Sequence, residues 1–261
     1  MTTEDRERLR AEALRALSSV MDPEMDEPIT ELGFVKNVSV EDGTVSVDVV
    51  MSTFWCSPNF VYMMLEDARD AISRVPGVRR ARVHLAGHHD APKINEAINL
   101  GKSFSECYGP EAEGDIAELN KRFREKALRS RLYGMATTLA KYGVTRDELI
   151  GLKRDDVRLE GSKVLVRSGG RTLEVADPSD AGRIARYVSF LEKLRLRDGR
   201  LVIWDLEGTS PESGDLDSFL TRSRSVRFRL GFNAELCRAL LEARIGTNQL
   251  QPSDSRPQPQ G

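Results

Sequence analysis

Cys56 is the residue with the most chemistry to offer. It stands where a run of alternating apolar residues gives way to a run with helical spacing, downstream of the acidic stretch Asp22-Pro23-Glu24. A thiol at a strand-to-helix junction, with carboxylates from another loop close by, can hold a soft metal or act as a reactive sulfur. Just ahead of a helix, unpaired backbone amides and the positive end of the helix dipole favour an anion. That makes Cys56 a better nucleophile or metal ligand than an isolated cysteine. The position also suits a small buried hydrophobe, the commoner role of a single cysteine. Cys107 and Cys237 are spaced too widely to add a Cys-x-x-Cys zinc motif or a disulfide framework, which fits a reducing compartment.

The elements that must position Cys56 are legible on both sides of it. Val38 and Val40, then Val45, Val47, Val49 and Met51, alternate with Ser39, Glu41, Ser46 and Asp48, the pattern of a half-buried hairpin. Asp42-Gly43 supplies its turn, because this pair tolerates positive φ angles. Val61, Met64, Leu65, Ala68, Ile72 and Val75 share one helical face, with Ser57 as N-cap, Pro58 at the first position and Pro76-Gly77 as the stop. Val78, Ala81, Val83 and Leu85 predict a third strand. An earlier helix through Leu9, Ala13, Leu17 and Val20 stops at Asp22-Pro23. The order helix, hairpin, helix, strand predicts an α+β fold, a small sandwich with helices on one face of a short sheet.

These motifs resemble the SufT/PaaD-like metal–sulfur cluster assembly domain family. The segment Asp22-Pro23-Glu24 through Leu32-Gly33-Phe34-Val35, the hairpin, the cysteine at the next helix start, and Val75-Pro76-Gly77-Val78 follow in the family's order. The resemblance covers the N-terminal domain, placed at 1–90. It implies an accessory factor, not a turnover enzyme, that assists iron–sulfur cluster or iron-centre assembly in a client metalloprotein such as an iron-dependent oxygenase. By the same resemblance Cys56, with Asp22 and Glu24, transiently handles iron or an iron–sulfur cluster. One cysteine is one soft ligand, so further ligands must come from a second subunit, a small thiol or the client. Family members usually carry Thr four residues before the cysteine and Pro directly after it. Here Ser52 and Ser57 occupy those places, and Ser52 keeps a hydroxyl able to bond the sulfur. Phe54 and Trp55 make the approach to Cys56 aromatic, as a docking surface for a client or as ordinary packing.

The chain has 261 residues, 39% of them hydrophobic, enough for two cores. Without a long apolar run or a signal-peptide pattern, it is expected in the cytoplasm with no membrane partner. Charge is uneven: 11 Lys+Arg against 17 Asp+Glu up to residue 100, and 28 against 24 beyond it. That contrast supports a domain boundary, placed in a linker at 91–114. Neighbouring His88, His89 and Asp90 lack the orderly spacing of a metal site.

A mainly helical domain is expected at 115–246. Ile116, Leu119, Phe123, Ala127, Leu132, Met135 and Leu139 mark the apolar stripe of a long helix. The intervening Lys121, Arg122, Arg124, Lys126, Arg129 and Arg131 form a solvated face or a patch for an acidic partner. Thr145 with Glu148 reads as a capping box. A hairpin over 157–166, a strand at 172–175, a helix from Pro178 to about Leu196, and short helices at 215–222 and 233–244 follow. The cadence is similar to the catalytic domain of tyrosine recombinases of the phage-integrase type. The chemistry is missing: Thr145 stands where that family places its first catalytic arginine, and no tyrosine follows Tyr187. A Gln-, Pro- and Ser-rich tail at 247–261 is expected to be disordered. The near-neutral charge of −2 gives no steer toward nucleic acid. The alternative is a DNA-binding or regulatory protein using the basic C-terminal half, which predicts steeply salt-dependent DNA retention. A homo-oligomer stays open.

Overall fold

The alternating valines form the strands their spacing predicts. The computed structural model describes residues 1–111, 116–194, 196, 199–210 and 215–246. The chain divides into two compact units, Met1–Ile116 with the residues from Gly231 onward, and Ala117–Leu230. The architecture is α+β.

In the first unit α1 (Thr3–Leu17) opens on a reciprocal capping box between Thr2 and Asp5. It ends before Val20, which is buried beyond the helix rather than within it. Two short strands, β1 (Met21–Asp22) and β2 (Glu27–Pro28), pair antiparallel around the Asp-Pro-Glu turn. The hairpin is β3 (Val35–Glu41) and β4 (Thr44–Val50), closed by Asp42 at φ 44° and Gly43 at φ 76°. Two consecutive positive φ values are what an Asp-Gly hairpin turn requires. An alanine at Gly43 would also put its Cβ 2.6 Å from Arg79 Nε. Helix α2 (Pro58–Ser73) then carries the chain over to β5 (Arg80–Ala86), which lies parallel to β4 in the order β3-β4-β5. A parallel neighbour needs such a crossover, and a helix supplies it.

Register puts Val38, Val45, Val47, Val49, Val83 and Leu85 on one face, all buried in the first core with Leu9, Leu17, Val61, Leu65 and Ile72. The other face carries Asn37, Asp48 and His84, with Asn37 donating to Asp48 and His84 Nδ1 3.5 Å from Asp48 Oδ1. One apolar and one polar face is the division that period-two patterning encodes.

The stretch expected as a linker instead continues this unit. It holds α3 (Ala91–Leu100) and α4 (Phe104–Tyr108), whose Ala91, Ile94, Ala97, Ile98, Phe104 and Tyr108 join the first core. Helix α3 also closes the free edge of β5 with amide side chains. Asn95 accepts from the Leu85 amide at 2.7 Å and donates to the Leu85 carbonyl at 2.9 Å. Asn99 does the same for Val83 at 3.2 and 2.8 Å. Spaced one helical turn apart, the two asparagines substitute for a further strand and blunt the edge.

The second unit is built on α5 (Ile116–Lys141), α6 (Arg146–Gly151) and α7 (Pro178–Leu194) around a sheet of β6 (Val157–Glu160), β7 (Lys163–Ser168) and β8 (Arg171–Val175). Thr145 and Glu148 form the expected capping box. Part of the basic run on α5 is neutralised within the unit, Lys121 by Glu207 and Arg122 by Glu118, and Arg131 lies over the Phe190 ring. Tyr187 is fully buried and donates to the Leu201 carbonyl at 2.7 Å, a structural role.

The two short C-terminal helices expected from sequence are one, α8 (Leu216–Gly246). A lone interior glycine, Gly231, costs only about 1 kcal/mol, too little to break a helix that packs along its length. From Gly231 onward α8 belongs with the first unit, because Ala234, Cys237, Leu241 and Arg244 share a face there and Ala234 and Leu241 enter its core. The tail expected to be disordered, 247–261, lies outside the described residues. Among the described residues no helix is long and apolar enough to cross a membrane.

Candidate functional site

Strand β4 ends at Val50, and the chain then loops through Met51-Ser52-Thr53-Phe54-Trp55-Cys56 to Ser57, the N-cap of α2. Proline at the first helical position fixes where the helix starts. The cap differs from expectation in one respect: the Ser57 side chain makes no capping hydrogen bond. Cys56, immediately before it, is half-buried and not in a disulfide. Its sulfur has two hydroxyl neighbours, Thr53 Oγ1 at 3.3 Å and Ser52 Oγ at 3.6 Å. Such hydroxyls can donate to a thiolate while leaving its other side open.

The loop is tied down by the adjacent His88, His89 and Asp90. His88 is 3% exposed, and its Nε2 lies 2.8 Å from the Cys56 carbonyl. Its Nδ1 accepts from the Asp90 amide at 3.1 Å, so the proton sits on Nε2 and is donated to Cys56. Burial, the largest influence, pushes the His88 pKa down and keeps the ring neutral. The His89 amide donates to the Phe54 carbonyl at 3.1 Å, and Tyr108 donates to Asp90 Oδ2 at 2.8 Å. His88, His89 and Asp90 therefore serve as struts of the Cys56 loop.

Phe54 and Trp55 project from that loop, 43% and 73% exposed. Their rings meet edge to face at 5.0 Å, and the Trp55 ring lies 4.9 Å from that of His89. The result is a small aromatic surface beside the thiol, with Trp55 mostly in solvent.

The acidic turn serves its own geometry first. Asp22 is 3% exposed, and its Oδ1 accepts from the amides of Glu24 at 2.8 Å and Met25 at 3.0 Å. The side chain thus replaces a backbone acceptor in the turn. Burial raises its pKa to about 6 against the pull of those two hydrogen bonds, with Glu24 and Glu27 adding to the rise. Glu24 is exposed. Cys56, Asp22 and Glu24 are not assembled as a ready metal cage: among the described residues no group of three or more His, Cys, Asp and Glu side chains could hold a metal ion.

The last turns of α8, which carry Cys237, reach the same part of the unit. The Cys237 thiol is half-buried and within electrostatic reach of Ser52, Asp22, Cys56 and Glu24. Burial is the main reason the Cys237 pKa rises. Arg244, buried on the same helical face, donates to the Met51 carbonyl at 2.9 Å and to the Gly87 carbonyl, while Arg238 pairs with Glu27. The final turns of α8 are thereby joined to three loops around Cys56. The signal lay in the spacing Ala234, Cys237, Leu241, Arg244, one face of a helix, but nothing local says which core that face meets.

A family model described as iron-sulfur cluster assembly protein matches residues 10–85. The chain is 30% identical over 90 residues to an uncharacterized protein of Methanocaldococcus jannaschii, covering 34% of this chain and 93% of that protein. It is 37% identical over 78 residues to the iron-sulfur cluster carrier protein of Mycobacterium tuberculosis, 30% of this chain and 20% of the carrier. It is 33% identical over 72 residues to the carrier protein of Synechocystis, 28% of this chain and again 20% of the relative. The chain thus spans about a fifth of the length of the carrier proteins it matches. The matched residues hold the Asp22 turn, the hairpin, the Cys56 loop and α2. Through them the chain belongs to the iron-sulfur cluster assembly protein family.

Proposed function

We propose that the first unit takes part in iron–sulfur cluster assembly as an accessory factor, receiving iron or a cluster transiently at Cys56 and passing it to a client. The observation that carries this reading is the half-buried Cys56 thiol on a loop held by His88 and flanked by exposed Phe54 and Trp55. A cargo site must release what it holds. A thiol with no preassembled set of further ligands binds weakly enough for transfer, and an aromatic patch beside it suits the face of a client. Asp22 shapes the neighbouring turn, and Glu24 leaves an exposed carboxylate there. An iron-dependent oxygenase is the client class that the resemblance favours. The role is delivery rather than turnover, and the missing ligands come from the client, a small thiol or a second subunit.

The test is reconstitution of the full chain with iron and sulfide, followed by transfer to an apo-oxygenase. Wild type is expected to acquire visible sulfur-to-iron absorption and activate the client, whereas Cys56→Ser loses both. Equal loading and activation by Cys56→Ser would remove Cys56 from the function.

A further inference from the structure

Two half-buried thiols lie on elements of the first unit that meet, the Cys56 loop and the last turns of α8. Ser52 Oγ lies 3.6 Å from Cys56 Sγ, and Arg244, two turns beyond Cys237 on one face of α8, donates to the carbonyl of Met51, the neighbour of Ser52, at 2.9 Å. The Cys237 thiol is within electrostatic reach of Cys56. Both cysteines are free, and both pack against the same core. The placement of Cys237 is anchored on either side along α8: Arg238 pairs with Glu27, Leu241 is buried in the core, and Arg244 holds the Met51 and Gly87 carbonyls. Cys107, by contrast, has its sulfur 3.8 Å from the Lys93 carbonyl in another part of the unit.

We propose that Cys237 is a second thiolate ligand for the cargo, so that Cys56 and Cys237 bind iron or a thiophilic metal as a pair. This rests on the function proposed above and names the ligand set of that site. Each thiol gives its proton to water as its sulfur–metal bond forms, with no change of oxidation state. Two bonds of about 2.3 Å to one tetrahedral ion need the sulfurs about 4 Å apart. The Arg244 bond to the Met51 carbonyl and the shared core bring the Cys237 face of α8 to the Cys56 loop, and side-chain rotation must supply the rest. Two protein thiolates leave the remaining positions of an iron–sulfur cluster or a tetrahedral ion for the acceptor, the arrangement a donor needs to hand over its cargo.

The probe is Cd²⁺ added to the reduced full chain, read by ultraviolet thiolate-to-cadmium absorption. Wild type is expected to bind one ion with the intensity of two sulfur bonds. Cys237→Ser should halve that intensity and weaken binding at least tenfold, while Cys107→Ser matches wild type. Wild-type intensity and affinity in Cys237→Ser would overturn the proposal. A measurement without mutation covers a variant that misfolds: one equivalent of phenylarsine oxide, which bridges paired thiols, should protect Cys56 and Cys237 together from iodoacetamide. Protection of neither, or of Cys56 alone, overturns the pairing. Cluster loading separates the two readings. If Cys56→Ser fails to load and Cys237→Ser behaves as wild type, only the pair is wrong; if both load normally, the delivery function itself is wrong.

Discussion

Replacing Asp22 by Asn should stabilise the first unit at neutral pH and leave it unchanged in acid. The carboxyl is buried, and its pKa is pushed up from 3.8 to about 6 chiefly by burial, even though Oδ1 accepts from the Glu24 and Met25 amides. Between about pH 4 and 6 the folded chain binds more protons than the unfolded one, so stability falls as pH rises through that window. A displacement of about two pH units corresponds to roughly 3 kcal/mol, fully expressed above pH 7. Asparagine keeps the Oδ1 acceptor for both turn amides and carries no charge, so it escapes this penalty. The assay is hydrogen exchange of the buried β4 amides, Val45 to Val49, in the metal-free full chain at pH 7.5 and pH 4, corrected for intrinsic rates. Exchange at pH 7.5 should slow in Asp22→Asn by up to about a hundredfold, with no difference at pH 4. A variant less stable than wild type at pH 7.5, or a gain independent of pH, would refute the assignment of Asp22 as a buried turn residue whose ionisation is costly. Cluster loading in the same variant should persist, since the turn survives.

His88 has the opposite linkage. Its pKa is lowered by burial, so the folded state binds fewer protons as pH falls below about 6.5, and the stability it contributes is lost on acidification. His88→Gln should remove that loss while retaining a donor to the Cys56 carbonyl, as a comparison of denaturation midpoints at pH 7 and pH 5 will show; equal acid sensitivity would contradict the burial argument. His88→Ala frees the carbonyl that Nε2 holds and should speed Cys56 alkylation several-fold at pH 7.5, measured by peptide mass spectrometry. Asn99→Ala leaves the Val83 amide and carbonyl without their α3 partners at the β5 edge, costing about 1–2 kcal/mol. Val83 exchange should accelerate about five- to thirtyfold, and unchanged protection there would mean the edge is covered otherwise.

Much of the first unit was legible locally, because its determinants are periodic or close in sequence. Valines two apart on β3 and β4, Asp42-Gly43 with two positive φ values, and Ser57-Pro58 ahead of α2 each depend on a few neighbouring residues, as does the Thr145 capping box in the second unit. The position of Cys56 before α2 followed from the same signals. Other features depended on partners distant along the chain. Residues 91–114 read as a linker because short helices such as α3 and α4, with proline and glycine at their ends, have weak local signatures, and only the free edge of β5 gives Asn95 and Asn99 their purpose. That Asp22 Oδ1 accepts from two amides of its own turn was not legible either, because residue type does not reveal which backbone groups a folded turn aims at a carboxylate. The sequence by itself determined the β3–β4 hairpin, α2 and β5, and that a thiol would stand at the head of α2. Tertiary structure alone decided which face of α8 meets the first core, and so that the helix carrying Cys237 returns to the Cys56 loop. Helical periodicity specifies that a face is apolar, but the surface it covers is chosen by burial summed over the whole fold.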